Sequence, residues 1–148
     1  MKTTVLWWAL LLSCFSSNAQ KPFATIDHVA LYVRQLDSSA VFYTSLFRLR
    51  SLPNPFPKAR VRWFEIGNRI QLHLIEGSQA QAAYPFMYHL CLSVSSLDSF
   101  IRELDKRALP YYSNADLTRG INHRADGVNQ LFIKDPDGYW VEVNDATH

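Results

Sequence analysis

Cysteine is scarce in this chain, with only Cys14 and Cys91 among 148 residues. Long apolar runs are missing too. The longest near the start, Val5–Leu12, is far shorter than the roughly 20 residues a bilayer-spanning helix needs. The first shortage excludes a disulfide scaffold, and the second excludes a membrane-spanning helix. No sign of charge dominates: 15 Lys and Arg stand against 13 Asp and Glu, with no basic stripe. The electrostatic attraction that drives nucleic-acid binding therefore has no source. Stability has to come from an apolar core.

The first 20 residues, MKTTVLWWALLLSCFSSNAQ, combine one lysine, a short apolar run and a small polar stretch ending Ser17-Asn18-Ala19. That layout predicts a secretory signal peptide, residues 1–19, cleaved after Ala19, and hence a periplasmic or secreted protein. The alternative is lipid attachment at Cys14, where Leu11-Leu12-Ser13-Cys14 loosely resembles a bacterial lipobox and Leu12 fits it poorly. The remaining residues, 20–148, are the size of one domain with a real core. Lys2 leaves with the leader, so 14 of the 15 basic residues face 13 acidic ones and Cys91 has no partner to bridge.

Comparing the chain with itself gives its architecture. Ile26-Asp27-His28-Val29-Ala30-Leu31-Tyr32-Val33 continues to Leu36-Asp37-Ser38, and Met87-Tyr88-His89-Leu90-Cys91-Leu92-Ser93-Val94 continues to Leu97-Asp98-Ser99. Seven positions match or nearly match at a constant offset of 61. Each half runs from a strand-like alternation to an aspartate suited to a helix start. A helical apolar pattern follows: Val41, Phe42, Leu46 and Phe47 in one half, Phe100, Ile101, Leu104 and Leu109 in the other. Prolines close both helix regions. Strands are then expected at Arg60–Ile66 and Arg69–Glu76, and at Val128–Lys134 and Tyr139–Asn144, the last two joined by the turn sequence Asp135-Pro136-Asp137-Gly138. A weaker strand is expected before each pair, near Arg48–Leu52 and Tyr111–Asn114. Each half thus reads β-α-β-β-β, and the whole is an α+β domain.

Side chains alternate along a strand. Val29, Leu31 and Val33 therefore share one face and Ile26, His28, Ala30 and Tyr32 the other, while Leu90 and Leu92 oppose His89, Cys91 and Ser93. In the last strands Leu72 and Leu74 oppose Gln71 and His73, and Val141 and Val143 oppose Trp140, Glu142 and Asn144. His73 and Glu142 correspond at an offset of 69. Two equivalent pairs emerge, His28/His89 and His73/Glu142, on faces that would form a shared concavity. Imidazole and carboxylate are the ligand types for zinc, nickel, cobalt, manganese or iron. One strand histidine alone is more often an ordinary sheet residue; matched faces in both repeats raise the case. Gln71 lies two residues before His73 on the same face and would replace it after a register slip.

These openings, and above all Lys134-Asp135-Pro136-Asp137-Gly138-Tyr139-Trp140-Val141-Glu142, resemble the vicinal oxygen chelate superfamily. It includes glyoxalase I, extradiol dioxygenases, methylmalonyl-CoA epimerase and antibiotic-resistance proteins. The resemblance covers essentially all of residues 20–148. It implies two βαβββ repeats, about 24–77 and 86–145, forming a concave, incomplete barrel. It also implies a divalent metal ion held by His28, His73, His89 and Glu142, a small-molecule substrate, and a homodimer, since some members build each site from two chains. Glyoxalase I commonly has a carboxylate or amide where His73 stands, so this chain departs from the pattern there.

A metal with open positions holds two neighbouring substrate oxygens and stabilises the charge that builds on them. The expected reaction is glyoxalase I-like proton transfer on a hydroxy-carbonyl compound, with Glu142, the one carboxylate of the set, as ligand and general base. Export removes the chain from the cytosol, where glutathione adducts of methylglyoxal are expected. Arg60 and Arg62 on one strand face, Arg119, His123 and Arg124 in a lid-like loop, and Trp140 are candidate substrate contacts, although solvated charge is the commoner role for each cation. One alternative is an extradiol-type Fe(II) dioxygenase, which two histidines and a carboxylate also suit; such enzymes usually carry two of these repeat pairs. A second is a non-enzymatic protein that sequesters a small aromatic compound against Trp140, Tyr32 and Phe64. Cys91 reads as a reactive thiol or, more simply, a small spacer.

Overall fold

A computed structural model describes residues 22–147 except positions 57, 68, 81 and 82. The expected leader, its cleavage point and Cys14 lie outside these residues. As the sequence predicts, four strands and one helix occupy each half. β1 (His28–Val33), α1 (Leu36–Phe47), β2 (Arg50–Leu52), β3 (Val61–Glu65) and β4 (Gln71–Glu76) form the first. β5 (His89–Ser93), α2 (Leu97–Lys106), β6 (Asn122–His123), β7 (Asn129–Lys134) and β8 (Trp140–Asn144) form the second. The strand orders are β1-β4-β3-β2 and β5-β8-β7-β6, two open sheets of the same topology. β1 and β5 run parallel to the last strands of their repeats, and the other pairs are antiparallel.

The ladders establish the register of the repeat. Ala30 pairs with His73, and Cys91, its equivalent at the offset of 61, pairs with Glu142. His73 and Glu142 therefore occupy the same place in their sheets. The β-face assignments follow: Leu31, Val33, Leu72, Leu74, Leu131, Ile133, Val141 and Val143 are all buried in one core cluster, to which both helices contribute. Each sheet turns its apolar face to this shared core and its histidine face away from it.

Three local expectations change. Val41 is 62% exposed, because α1 buries Leu36, Ser39, Ala40, Tyr43 and Leu46 instead; the helix is rotated so that Tyr43 meets Asp135. It also ends at Phe47, before the prolines, with Arg48 in the left-handed region at φ 55°. Tyr111–Asn114 contributes only isolated bridges from Tyr112 to Arg119 and Phe132. The edge strand beside β7 is Asn122–His123, within the segment expected to be a lid.

The Asp135-Pro136-Asp137-Gly138 turn does more than reverse the chain. Asp137 accepts the backbone N–H of Arg34 at 2.8 Å and the Ser39 hydroxyl at 2.6 Å. Asp135 accepts the Tyr43 hydroxyl at 2.9 Å and the backbone N–H groups of Asp137 and Tyr139. Gln35 at the start of α1 makes no side-chain cap, so the aspartate that serves this helix start comes from the other repeat. Tyr139 Oη adds a bond to the Tyr32 carbonyl. Burial pushes the Asp135 carboxyl up to about 6 and drives the Tyr43 hydroxyl well above its usual range.

Candidate functional site: two half-sites on facing-away sheets

On the first sheet the site face is a ring stack. His73 lies between Trp63 and His28, with centroids 4.2 and 4.3 Å away and ring planes within 8° and 15° of parallel. The Trp63↔His73 ladder pair places the indole there. Asp27 Oδ2 accepts from His28 Nδ1 at 2.7 Å, leaving Nε2 with its lone pair. His73 Nε2 meets Gln71 Oε1 at 2.9 Å, which leaves Nδ1 unprotonated. Burial, followed by the neighbouring His28, holds the His73 pKa below its usual value, which favours its neutral, cation-binding form.

The second sheet carries a buried acid. Glu142 is 6% exposed. Its Oε1 accepts the Asn144 amide at 2.9 Å and the Cys91 thiol at 3.3 Å, with Arg124 Nη1 at 3.9 Å. Its Oε2 faces His89 Nε2 at 3.0 Å. The other nitrogen of His89 is 3.1 Å from the Phe86 carbonyl; a carbonyl only accepts, so Nδ1 donates there and Nε2 is the atom turned to the carboxylate. Nε2 and Oε2 thus share either a proton or a metal cation between or beside them. Donors each about 2.1 Å from an ion, at ordinary coordination angles, stand about 3.0–3.4 Å apart. The pair fits a divalent ion.

The chain pairs His28 with His73 and His89 with Glu142. Among the described residues no group of three or more His, Cys, Asp or Glu side chains comes together, so the expected single cluster of four is not formed within one chain. The reason lies in the packing: the two repeats share their apolar faces, which turns their site faces apart. Phe132, the equivalent of Trp63, makes an edge contact with His89 at 5.5 Å and packs on Phe86 at 4.4 Å.

Of the candidate substrate contacts, Trp140 lies beside His89 in the ladder and packs edge-on against Phe86. Arg124 reaches Glu142. The others point elsewhere. Arg60 pairs with Glu76 and Arg62 with Asp37 of α1, on the helix-packing side, since Arg62 and Trp63 alternate. Arg119 pairs with Asp105 at 2.7 Å and lies over Tyr111, and His123 meets Asn129 at 2.6 Å. Phe64 is core, 1% exposed, and not part of a cleft. Cys91 is open to solvent as a residue, yet burial of its sulfur and the adjacent Glu142 push the thiol up to about 12, which favours the spacer over the reactive thiol.

Asn144, Lys134 and Trp63 went unrecognised as site residues. Asn144 follows Glu142 by two on the same strand face, a signal present in the alternation. Lys134, with Nζ 4.6 Å above the Trp140 ring, and Trp63 needed the ladders. A cavity of about 510 Å³, lined by Phe47, Leu92, Val94, Phe100 and Arg107 among others, lies on the core side of β5. Cys91 and His89 are on its other face.

A family model described as the Glyoxalase/Bleomycin resistance protein/Dioxygenase superfamily matches residues 25–143. A lactoylglutathione lyase of Pseudomonas putida is 27% identical over 153 residues, covering 82% of this chain and 84% of the relative. Among solved structures, the oxidase ChaP-H2 aligns with a TM-score of 0.67 at 19% identity, over 86% of this chain and 97% of its own. The fosfomycin resistance protein FosX from Listeria monocytogenes aligns with a TM-score of 0.64 at 14% identity, over 85% and 96%. A lyase, an oxidase and a resistance protein on one architecture leave the reaction to be argued from the site.

Proposed function

The chain belongs to the glyoxalase/bleomycin resistance protein/dioxygenase superfamily, and from that premise we propose that it is an exported, metal-dependent lyase or isomerase of glyoxalase I-like type. It moves a proton on a small hydroxy-carbonyl compound. The observation that carries this reading is the His89–Glu142 pair, an imidazole nitrogen and a buried carboxylate oxygen 3.0 Å apart, the spacing of two donors to one ion. His28, His73, His89 and Glu142 would hold the ion. When bound, the ion supplies open positions for two adjacent substrate oxygens and steadies the charge that grows on them.

The remaining work falls to the chain itself. Glu142 Oε1 is anchored by Asn144 and Cys91, whereas Oε2 has His89 alone; Oε2 is the atom that takes and returns the substrate proton. Phe86, Phe132 and Trp140 exclude water around it. Because each sheet turns its site face away from the shared core, the complete ligand set is assembled between two copies, the first repeat of one facing the second repeat of its partner.

Elemental analysis of purified protein tests the reading directly. A near-stoichiometric transition metal is expected, and its absence would sink the proposal. Metal-loaded protein should also exchange the carbon-bound hydrogens of dihydroxyacetone for deuterium. Glu142→Gln should abolish that exchange while retaining some metal. Iron in place of zinc, nickel, cobalt or manganese would favour the dioxygenase, since two histidines and one carboxylate also suit ferrous iron.

A further inference from the structure

The charges around Glu142 favour one kind of substrate. Three imidazoles and a single carboxylate would leave a divalent ion one positive charge in excess, which a second acid at the position of His73 would cancel. Arg124 adds another positive charge 3.9 Å from Glu142 Oε1. Lys134 adds a third on the same sheet face, over Trp140. Acids outside the ligand set include Asp27 and Asp126, with side chains 84% and 52% exposed, where solvent screens them, and Glu65, on the face of Trp63 and Gln71, whose charge Arg50 offsets.

Arg124 is held for this position by a tight hairpin between β6 and β7. Its N–H donates to the Val128 carbonyl at 2.9 Å and its carbonyl accepts from Gly127 at 3.0 Å. Gly127 has φ 88°, a conformation that favours glycine. One guanidinium nitrogen bonds Asp126 at 2.5 Å while the other points toward Glu142. A cation beside Glu142 would draw on the charge of that carboxylate and leave Nη1 directed at whatever else enters. The five donors of a guanidinium suit a carboxylate in particular.

We infer that the substrate is an anion, a small carboxylic acid bearing neighbouring hydroxyl and carbonyl oxygens, and that Arg124 is the residue that selects it. This rests on the metal-site reading above and names its substrate class. The role differs from that of Arg60, Arg62 and Arg119, whose partners lie off the site face.

3-Hydroxypyruvate and dihydroxyacetone test it, because they share size and a hydroxy-ketone and differ in one carboxylate. Both are titrated into full-length Co2+-loaded protein, with tryptophan fluorescence and the cobalt absorption bands as readouts. The acid should bind about tenfold tighter or more, as expected for a hydrogen-bonded charge. Arg124→Gln should bring the two affinities within about threefold, Arg124→Lys should restore most of the difference, and metal uptake should be the same in all three proteins. Equal binding of the two compounds by the wild type, or an undiminished preference in Arg124→Gln, overturns the inference. The same titrations on metal-free protein separate the two readings: failure to take up cobalt defeats the metal site, whereas absence of acid preference in both forms defeats the role of Arg124.

Discussion

Asp137 accepts the backbone N–H of Arg34 at 2.8 Å, across 103 positions of sequence. One carboxylate thereby ties the β7–β8 turn of the second repeat to the start of α1 in the first, and with Ser39 it satisfies donors that no local residue serves. The orientation of the two sheets, and so of the two half-sites, depends on this bond.

Replacing Asp137 with alanine leaves a part-buried N–H and a buried hydroxyl without their acceptor. The expected destabilisation is about 2–4 kcal/mol, read as a lower denaturant midpoint, with Asp137→Asn losing less. A midpoint within error of the wild type would show that the turn is not the tie between repeats.

Asp135 gives stability a pH dependence of definite sign. Its folded pKa, about 6, lies above the unfolded value near 4, so the protonated carboxyl is the form folding favours. Its contribution is full below about pH 4 and is lost as pH rises through about 6, an effect of about 2–3 kcal/mol. Asp135→Asn, which stays neutral, should flatten the stability difference between pH 4 and pH 7 seen in thermal unfolding. An unchanged difference would remove Asp135 from the account.

Subunit mixing tests the shared site. His28→Ala and His89→Ala chains should each bind metal poorly alone. Co-refolded together, each mixed dimer should regain one intact site, because the unaltered repeats of the two chains meet. No recovery in mixed dimers would place both half-sites' ligands in one chain or abolish the site.

The choice between Gln71 and His73 is open to a paired measurement. Gln71→Ala removes the group that orients the His73 ring, and metal affinity should fall by about 10- to 100-fold, as for other residues supporting a ligand. His73→Ala should weaken binding further. The reverse order would make Gln71 the ligand.

Much of this was legible in the sequence because strand faces follow a period of two. That period, with the offset of 61, puts His28 with His89 and sorts Val141 and Val143 from Glu142 from the sequence alone. The offset of 69 likewise matches His73 with Glu142, and the β ladders place the two at equivalent positions, opposite Ala30 and Cys91. Helix orientation was less legible: Val41 reads as core by apolar character, but Tyr43 takes the inward place because its hydroxyl has a buried partner in Asp135.

The sequence by itself determined the repeat, the α+β class, the two apolar faces and the ligand-type residues opposite them, since each follows from local periodicity. Only the tertiary structure decided how the repeats sit together. Burial of both apolar faces in one core, fastened by Asp135 and Asp137, turns His28 and His73 away from His89 and Glu142. It also decided that Arg124, rather than Arg60, Arg62 or Arg119, reaches the acid. Such placements depend on contacts between residues far apart in the chain, and no local pattern encodes them.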